Sequence, residues 1–204
     1  MSSPAAVEGR PVAAPLSRPT GSRANGWWGM VLLIATEATL FAVLIASYFY
    51  IRFKSPDWPQ GGINDPTLGR PLLNNGILLA SIVPIYLAER AVFRGRQSLL
   101  RLGLAAAFLL LLAYFALQTD SFWTSWHSFK PSENTYASLV YTLVGAHWLH
   151  VGAGILLLAF IQVRAWLGHF DEERNVPVQV TALYVYFVAL LAIPVFLTSV
   201  SPAL

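Results

Sequence analysis

The sequence predicts an all-α protein: a polytopic membrane bundle of five transmembrane helices, with the N-terminus cytoplasmic and the C-terminus outside. Three observations carry this. Of 204 residues, 56% are hydrophobic and only 11% charged, against about 25% charged residues in a soluble domain. Mean hydropathy is +0.57. Five stretches reach the length of about 20 mostly apolar residues that a helix needs to cross a bilayer.

The first 26 residues, MSSPAAVEGRPVAAPLSRPTGSRANG, are rich in Pro, Ser, Ala and Gly and lack apolar periodicity. They cannot bury enough surface to offset ordering, so residues 1–26 are predicted as a disordered tail before one membrane domain, residues 27–204. A signal peptide does not fit, because its apolar core is about 7–15 residues long and follows a short basic head. Here the first apolar stretch comes late and is of spanning length.

The predicted spans are Trp27–Tyr50, Leu72–Phe93 with Pro84 inside it, Leu99–Leu117, Tyr136–Trp166 and Val178–Val200 with Pro194 inside it. The fourth exceeds what a bilayer needs and should tilt or protrude. Proline in a span is tolerated where neighbours satisfy the freed carbonyl, so kinks are expected at Pro84 and Pro194. The connections KSPDWPQGGINDPTLGRP and DSFWTSWHSFKPSEN are expected to be partly ordered caps outside the membrane.

Basic residues set the orientation. With the N-terminus inside, the inner segments hold Arg10, Arg18, Arg23, Arg90, Arg94, Arg96, Arg101, Arg164 and Arg174. The outer ones hold Arg52, Lys54, Arg70 and Lys130. This is nine against four, using all 13 basic residues, and the positive-inside rule selects this topology. Trp27, Trp28, Tyr48, Tyr50, Trp123, Trp126, Tyr136 and Trp166 cluster at span ends, as an interfacial belt requires.

Several function classes drop out. The net charge of +3 is small, and the basic residues form no run interleaved with aromatics, which argues against nucleic acid. With no cysteine, there is no disulfide, thiolate metal site, iron–sulfur cluster or Cys nucleophile. A haem or copper site would have to use His127, His147, His150 and His169.

Glu37 sits near the middle of the first span, where an acid costs about 2.5–3.5 kcal/mol or more. At 100° per residue it shares a face with Met30, Phe41, Leu44 and Tyr48. The opposite face carries Ala35, Thr39, Ala42 and Ala46, small residues that suit close helix packing. The acid-bearing face is expected to meet other helices, lipid or a partner protein. Glu37 is either a structural, hydrogen-bonded acid or a functional group.

In GAHWLHVGAG, a spacing of three puts His147 and His150 on one side of a helix. Paired histidines invite a metal reading. No further His, Cys or carboxylate stands at ligand spacing, so hydrogen bonding across helices is the expected role. At 1.5 Å per residue, Glu37 lies about 15 Å into its span and His147 about 16 Å into the fourth, from the opposite side. Both reach the midplane, and a hydrogen bond from Glu37 to His147 or His150 would offset the cost of the acid. DEER, in the connection before the fifth span, reads as a solvated turn. RAVFRGRQ reads as a topology anchor whose Arg94 and Arg96 suit anionic lipid headgroups.

WWGMVLLIATEATLFAVLIASYF resembles the acidic helix of subunit III of haem–copper respiratory oxidases. NTYASLVYTLVGAHWLHVGAGILLL is similar to that family's paired-histidine segment, G-x-H-x-x-H-V. RPLLNNGILLAS resembles its Pro–Asn–Leu-rich helix start, and Gln118 falls where the family has a glutamine. The resemblance covers residues 27–200 in consistent order. It implies the five-helix bacterial form that lacks the first two of seven helices, in a bacterial inner membrane. It also implies a non-catalytic, cofactor-free subunit beside subunit I, which holds the haems and copper. Subunit II, small subunits and bound phospholipid would share that complex. Glu37 then takes the family acid's place near bound lipid, associated with proton uptake and sustained turnover, and His147, His150 and Gln118 take inter-helix hydrogen bonding. The chain departs from the family where Tyr, Trp, His, Phe, Val, Asp is usual: here Tyr184, Val185, Tyr186, Phe187, Val188, Ala189. The acid–aromatic pair after Gln118 is displaced too, with Ser121 and Phe122 there and Asp120 one earlier.

The leading function is thus an accessory oxidase subunit in aerobic electron transport. A subunit III-like protein of a quinol oxidase or nitric oxide reductase system stays open. So does an independent proton- or ion-coupled transporter using Glu37, although no inverted repeat or paired broken helix supports it. A membrane enzyme acting alone lacks a nucleophile, a metal set or an acid–base pair.

Overall fold

The computed structural model describes residues 21–63, 68–170 and 175–203. Among them the regular structure is entirely helical, and five helices are long and apolar enough to cross a membrane. In order they are α1 (Gly21–Lys54), a second span made of α2 (Gly69–Ala80) and α3 (Ile82–Val92), then α4 (Gln97–Ser128), α5 (Thr135–Trp166) and α6 (Val176–Val200). Short 3₁₀ turns occupy Gln60–Gly62 and Ser201–Ala203.

Three boundaries differ from the sequence expectation. Residues 21–26 are helical and extend α1, since no proline follows Pro19 until residue 56. The break in the second span falls at Ser81, not at Pro84. Pro84 lacks the N–H that would meet the Ala80 carbonyl, so α2 ends at Ala80, where the Ser81 hydroxyl donates to the Leu78 carbonyl at 2.6 Å. The largest difference is α4. Nine of the 15 residues of the expected cap DSFWTSWHSFKPSEN are helix, because no Gly or Pro occurs between Gly103 and Pro131. Ser121 and Thr124 donate to the carbonyls of Leu117 and Asp120, both at 2.9 Å, within the helix itself. With 32 residues, α4 is about 48 Å long, well beyond the ~30 Å hydrocarbon core. α6 stays one helix through Pro194. The segment DEER lies outside the described residues.

The helices alternate in direction. At one end the turns between α3 and α4 and between α5 and α6 meet: Gln97 Nε2 donates to Phe170 O at 2.7 Å and Arg101 Nε to Ala165 O at 3.1 Å. At the other, Arg52 donates to Ser201 O at 3.2 Å and Asn134 to Gln60 O at 3.1 Å. α6 is central, packing on α1, α2, α3 and α5, while α4 packs on α2, α3 and α5. Among the described residues α1 packs mainly on α6 and α5. In its most apolar stretch 6% of residues are buried, against 44% for α6.

The face assignment of α1 is the reverse of simple small-residue logic. Ala35, Thr39, Ala42 and Ala46 are exposed on the outside of the bundle. The face with Met30, Glu37, Phe41, Leu44 and Tyr48 turns inward, and Phe41 and Tyr48 are fully buried. The acid finds its polar partner only on that side.

Tyr48 also anchors the outer connection. Its hydroxyl lies 3.2 Å from Ser201 Oγ and accepts from Trp58 Nε1 at 3.0 Å, and Trp58 packs edge-on against Tyr136. Tyr48→Phe is expected to lower stability by about 1 kcal/mol, as a half-buried indole N–H loses its acceptor. Thermal unfolding in detergent checks this; an unchanged midpoint would refute it.

Candidate functional site

The site is built where α1 crosses α5 next to α6. His150 Nδ1 lies 2.7 Å from the Ala146 carbonyl one turn back. A carbonyl only accepts, so Nδ1 carries a proton. His150 Nε2 lies 2.8 Å from Glu37 Oε2. One proton occupies this link, on the acid or on the imidazole, and in either case the pair has no net charge. A carboxylate that would be costly alone in a span thus has a compensated partner. Both side chains are partly buried, 20% exposed for His150 and 27% for Glu37.

His147 plays another part. It is buried, with Nε2 3.1 Å from the Val188 carbonyl of α6 and Nδ1 3.2 Å from the Tyr114 hydroxyl of α4. The carbonyl requires Nε2–H, which leaves Nδ1 to accept from Tyr114. His147 therefore ties three helices together with both ring nitrogens used. The fully buried ring of Phe41 stands edge-on to both imidazoles, 5.2 Å from His150 and 6.4 Å from His147. Tyr184 adds a bond from α6 to the His150 carbonyl at 3.2 Å.

Of the residues singled out in the sequence, Glu37 and His150 come together and His147 lies one turn away, turned from the acid. Gln118 is elsewhere in the bundle, accepting from Asn74 Nδ2 at 3.4 Å between α2 and α4. Arg94 and Arg96 are exposed in the turn between α3 and α4. Trp27, Trp28, Trp123, Trp126 and Trp166 are exposed near helix ends. His127 caps back onto its own helix at the Trp123 carbonyl, 2.8 Å away. Among the described residues, no three of His, Asp and Glu are placed to hold a metal ion.

Sequence reasoning missed a second polar tie. Tyr186 donates to Glu89 Oε2 at 2.9 Å, joining α6 to α3. Tyr186 stands at one of the departures from the expected late-helix pattern, and Glu89 is masked in the sequence by the arginines that follow it. The signal was available, since Glu89 lies inside the second span. Val185 and Ala189, the other two departures, are simply buried apolar residues of α6.

Comparison with known proteins agrees with this architecture. The sequence profile of the family described as cytochrome c oxidase subunit III matches residues 21–200. Among similar relatives is cytochrome c oxidase subunit 3 of Oryctolagus cuniculus, 30% identical over 167 residues, which cover 79% of this chain and 63% of the relative. The protein of the same name from Ornithorhynchus anatinus is 31% identical, with the same two shares. That from Pylaiella littoralis is 29% identical over 83% of this chain and 64% of the relative. The chain thus spans somewhat under two thirds of the length of these relatives. It is a multi-pass membrane protein, and it belongs to the cytochrome c oxidase subunit III family.

Proposed function

We propose that the chain is an accessory subunit, without a redox cofactor of its own, in a proton-pumping haem–copper terminal oxidase of a bacterial inner membrane. It braces subunit I beside subunit II, binds phospholipid and supports proton uptake. Its N-terminus faces the cytoplasm, with Arg94 and Arg96 at the headgroups on that side. The observation that carries this reading is the Glu37–His150 link on α1. A central acid holds one shared proton on the least buried helix, whose outer face of Ala35, Thr39, Ala42 and Ala46 is free for lipid or subunit I.

Purification of the tagged chain from native membranes tests the assembly. Haem–copper subunits I and II are expected to co-purify; a monodisperse chain that moves solute in liposomes would overturn the proposal. Glu37→Gln tests the role of the acid. The amide can still donate to His150 Nε2, so packing is kept while the titratable proton is lost. In the complex it is expected to shorten the period over which turnover is sustained. If initial rate and decay both match the unmodified enzyme, Glu37 is structural.

A further inference from the structure

A cavity of about 610 Å³ lies between α2, α4, α5 and α6, and neither Glu37 nor His150 lines it. It opens where α4 ends and α5 begins, with Arg70 and Glu133 among its lining residues. Further into the bundle Asn74, Gln118, Tyr114 and His147 line it. By the depth of His147 in α5, its inner end reaches about 18 Å along that helix, near the middle of the membrane.

Inward of Arg70 and Glu133 its polar lining is uncharged and hydrogen-bonding. Asn74 is 1% exposed, and its Nδ2 reaches Gln118 at 3.4 Å, a long bond. Asn74 Oδ1 has no partner among the described residues. An unpaired buried acceptor costs about 1–3 kcal/mol, and water is the usual remedy where a cavity is polar and roomy enough. At ~30 Å³ per molecule this one has room for on the order of twenty waters. Arg70, the cation of its lining, is paired with Asp120 of α4, so no free positive charge calls for an anionic ligand.

The geometry points to a water-filled vestibule within the bundle. A chain of waters runs from the end bearing Arg70 to Asn74 Oδ1 and on to the Tyr114–His147 tie. It stops there. His147 spends Nε2 on the Val188 carbonyl, and the ring of Phe41 packs edge-on against both imidazoles. The chain therefore holds two separate polar sites at the midplane. One is hydrated from a single end; the other, Glu37–His150, faces the α1 boundary.

The absence of cysteine makes this directly measurable. Val144 lines the vestibule about nine residues into α5. Val43 lies on the exposed outer face of α1, eleven residues from its end, at a comparable depth. Val144→Cys and Val43→Cys are made singly in the intact complex in nanodiscs. Modification of this chain by the cationic reagent 2-(trimethylammonium)ethyl methanethiosulfonate is followed by mass spectrometry. Val144→Cys is expected to react at least about tenfold faster, since the thiolate that water allows to form attacks the thiosulfonate sulfur and expels methanesulfinate. Val195→Cys, on the α6 wall of the same cavity, serves if Val144→Cys fails to assemble. Equal rates at the cavity and outer positions would overturn the vestibule. So would a cavity cysteine that reacts only with an apolar maleimide, which would mean that lipid fills the space.

Discussion

Gly103→Val is expected to dislodge α3 from α4 and lower stability by about 3 kcal/mol or more, at the upper end of overpacking costs. A Cβ at Gly103 would lie 2.8 Å from the Pro84 carbonyl oxygen and 2.9 Å from Ala88 Cβ, with the Ala88 backbone nitrogen at 3.1 Å. Backbone cannot yield as the end of a flexible side chain does, so the two helices must separate. Leu100, Leu104 and Ala107 of α4 and Ile85 and Ala88 of α3, all fully buried, would lose contacts along the crossing. Gly103→Ala should show a smaller loss of the same sign. Thermal unfolding and protease sensitivity of the purified complex provide the readout; a valine variant as stable as the parent would show that the crossing is not tight.

The second large effect concerns the acid. His150→Leu leaves Glu37 without its partner next to Phe41 and is expected to cost about 3 kcal/mol. Glu37→Leu removes the charge-bearing group and leaves an imidazole whose Nδ1 is still bonded to the Ala146 carbonyl, so it should cost less. Replacing both by leucine should recover most of the loss, since an apolar pair of similar volume often matches or exceeds a buried polar pair. The measurement is a double-mutant cycle on unfolding of the complex. Additive single effects would mean that the 2.8 Å contact contributes no coupling.

Much of this architecture was legible because membrane helices obey few rules. Length and apolarity located all five spans, and α5 and α6 begin within two residues of expectation. α4 was cut short because Asp120, Ser121, Thr124, Ser125 and His127 look like a loop by polarity. Helix continuation depends instead on the lack of Gly and Pro and on hydroxyls bonding back to the previous turn. The meeting of Glu37 with a histidine followed from depth alone, but depth could not choose between His147 and His150. That choice rests on Tyr114 and the Val188 carbonyl, which occupy His147 from two other helices. The small-residue face of α1 was expected to pack closely and is exposed instead, for a related reason. Small residues permit close approach without requiring it, whereas an acid in a span requires a partner.

The wiring of α1 has a consequence for how the chain is made. α1 is synthesised before α5 and α6, the helices on which it mainly packs. Glu37 and His150 are 113 residues apart in the chain. At about 5–20 residues per second of synthesis, the acid waits roughly 6–23 s for its histidine. Throughout that interval the α1 face bearing Glu37 lacks the α5 and α6 partners that it has in the finished bundle. The 3₁₀ turn that follows α6, where Ser201 meets Tyr48 and Arg52, then acts as the latch. A nascent chain halted after α4 would carry an unsatisfied carboxyl, a chemical mark by which membrane quality control could tell an unfinished bundle from a finished one.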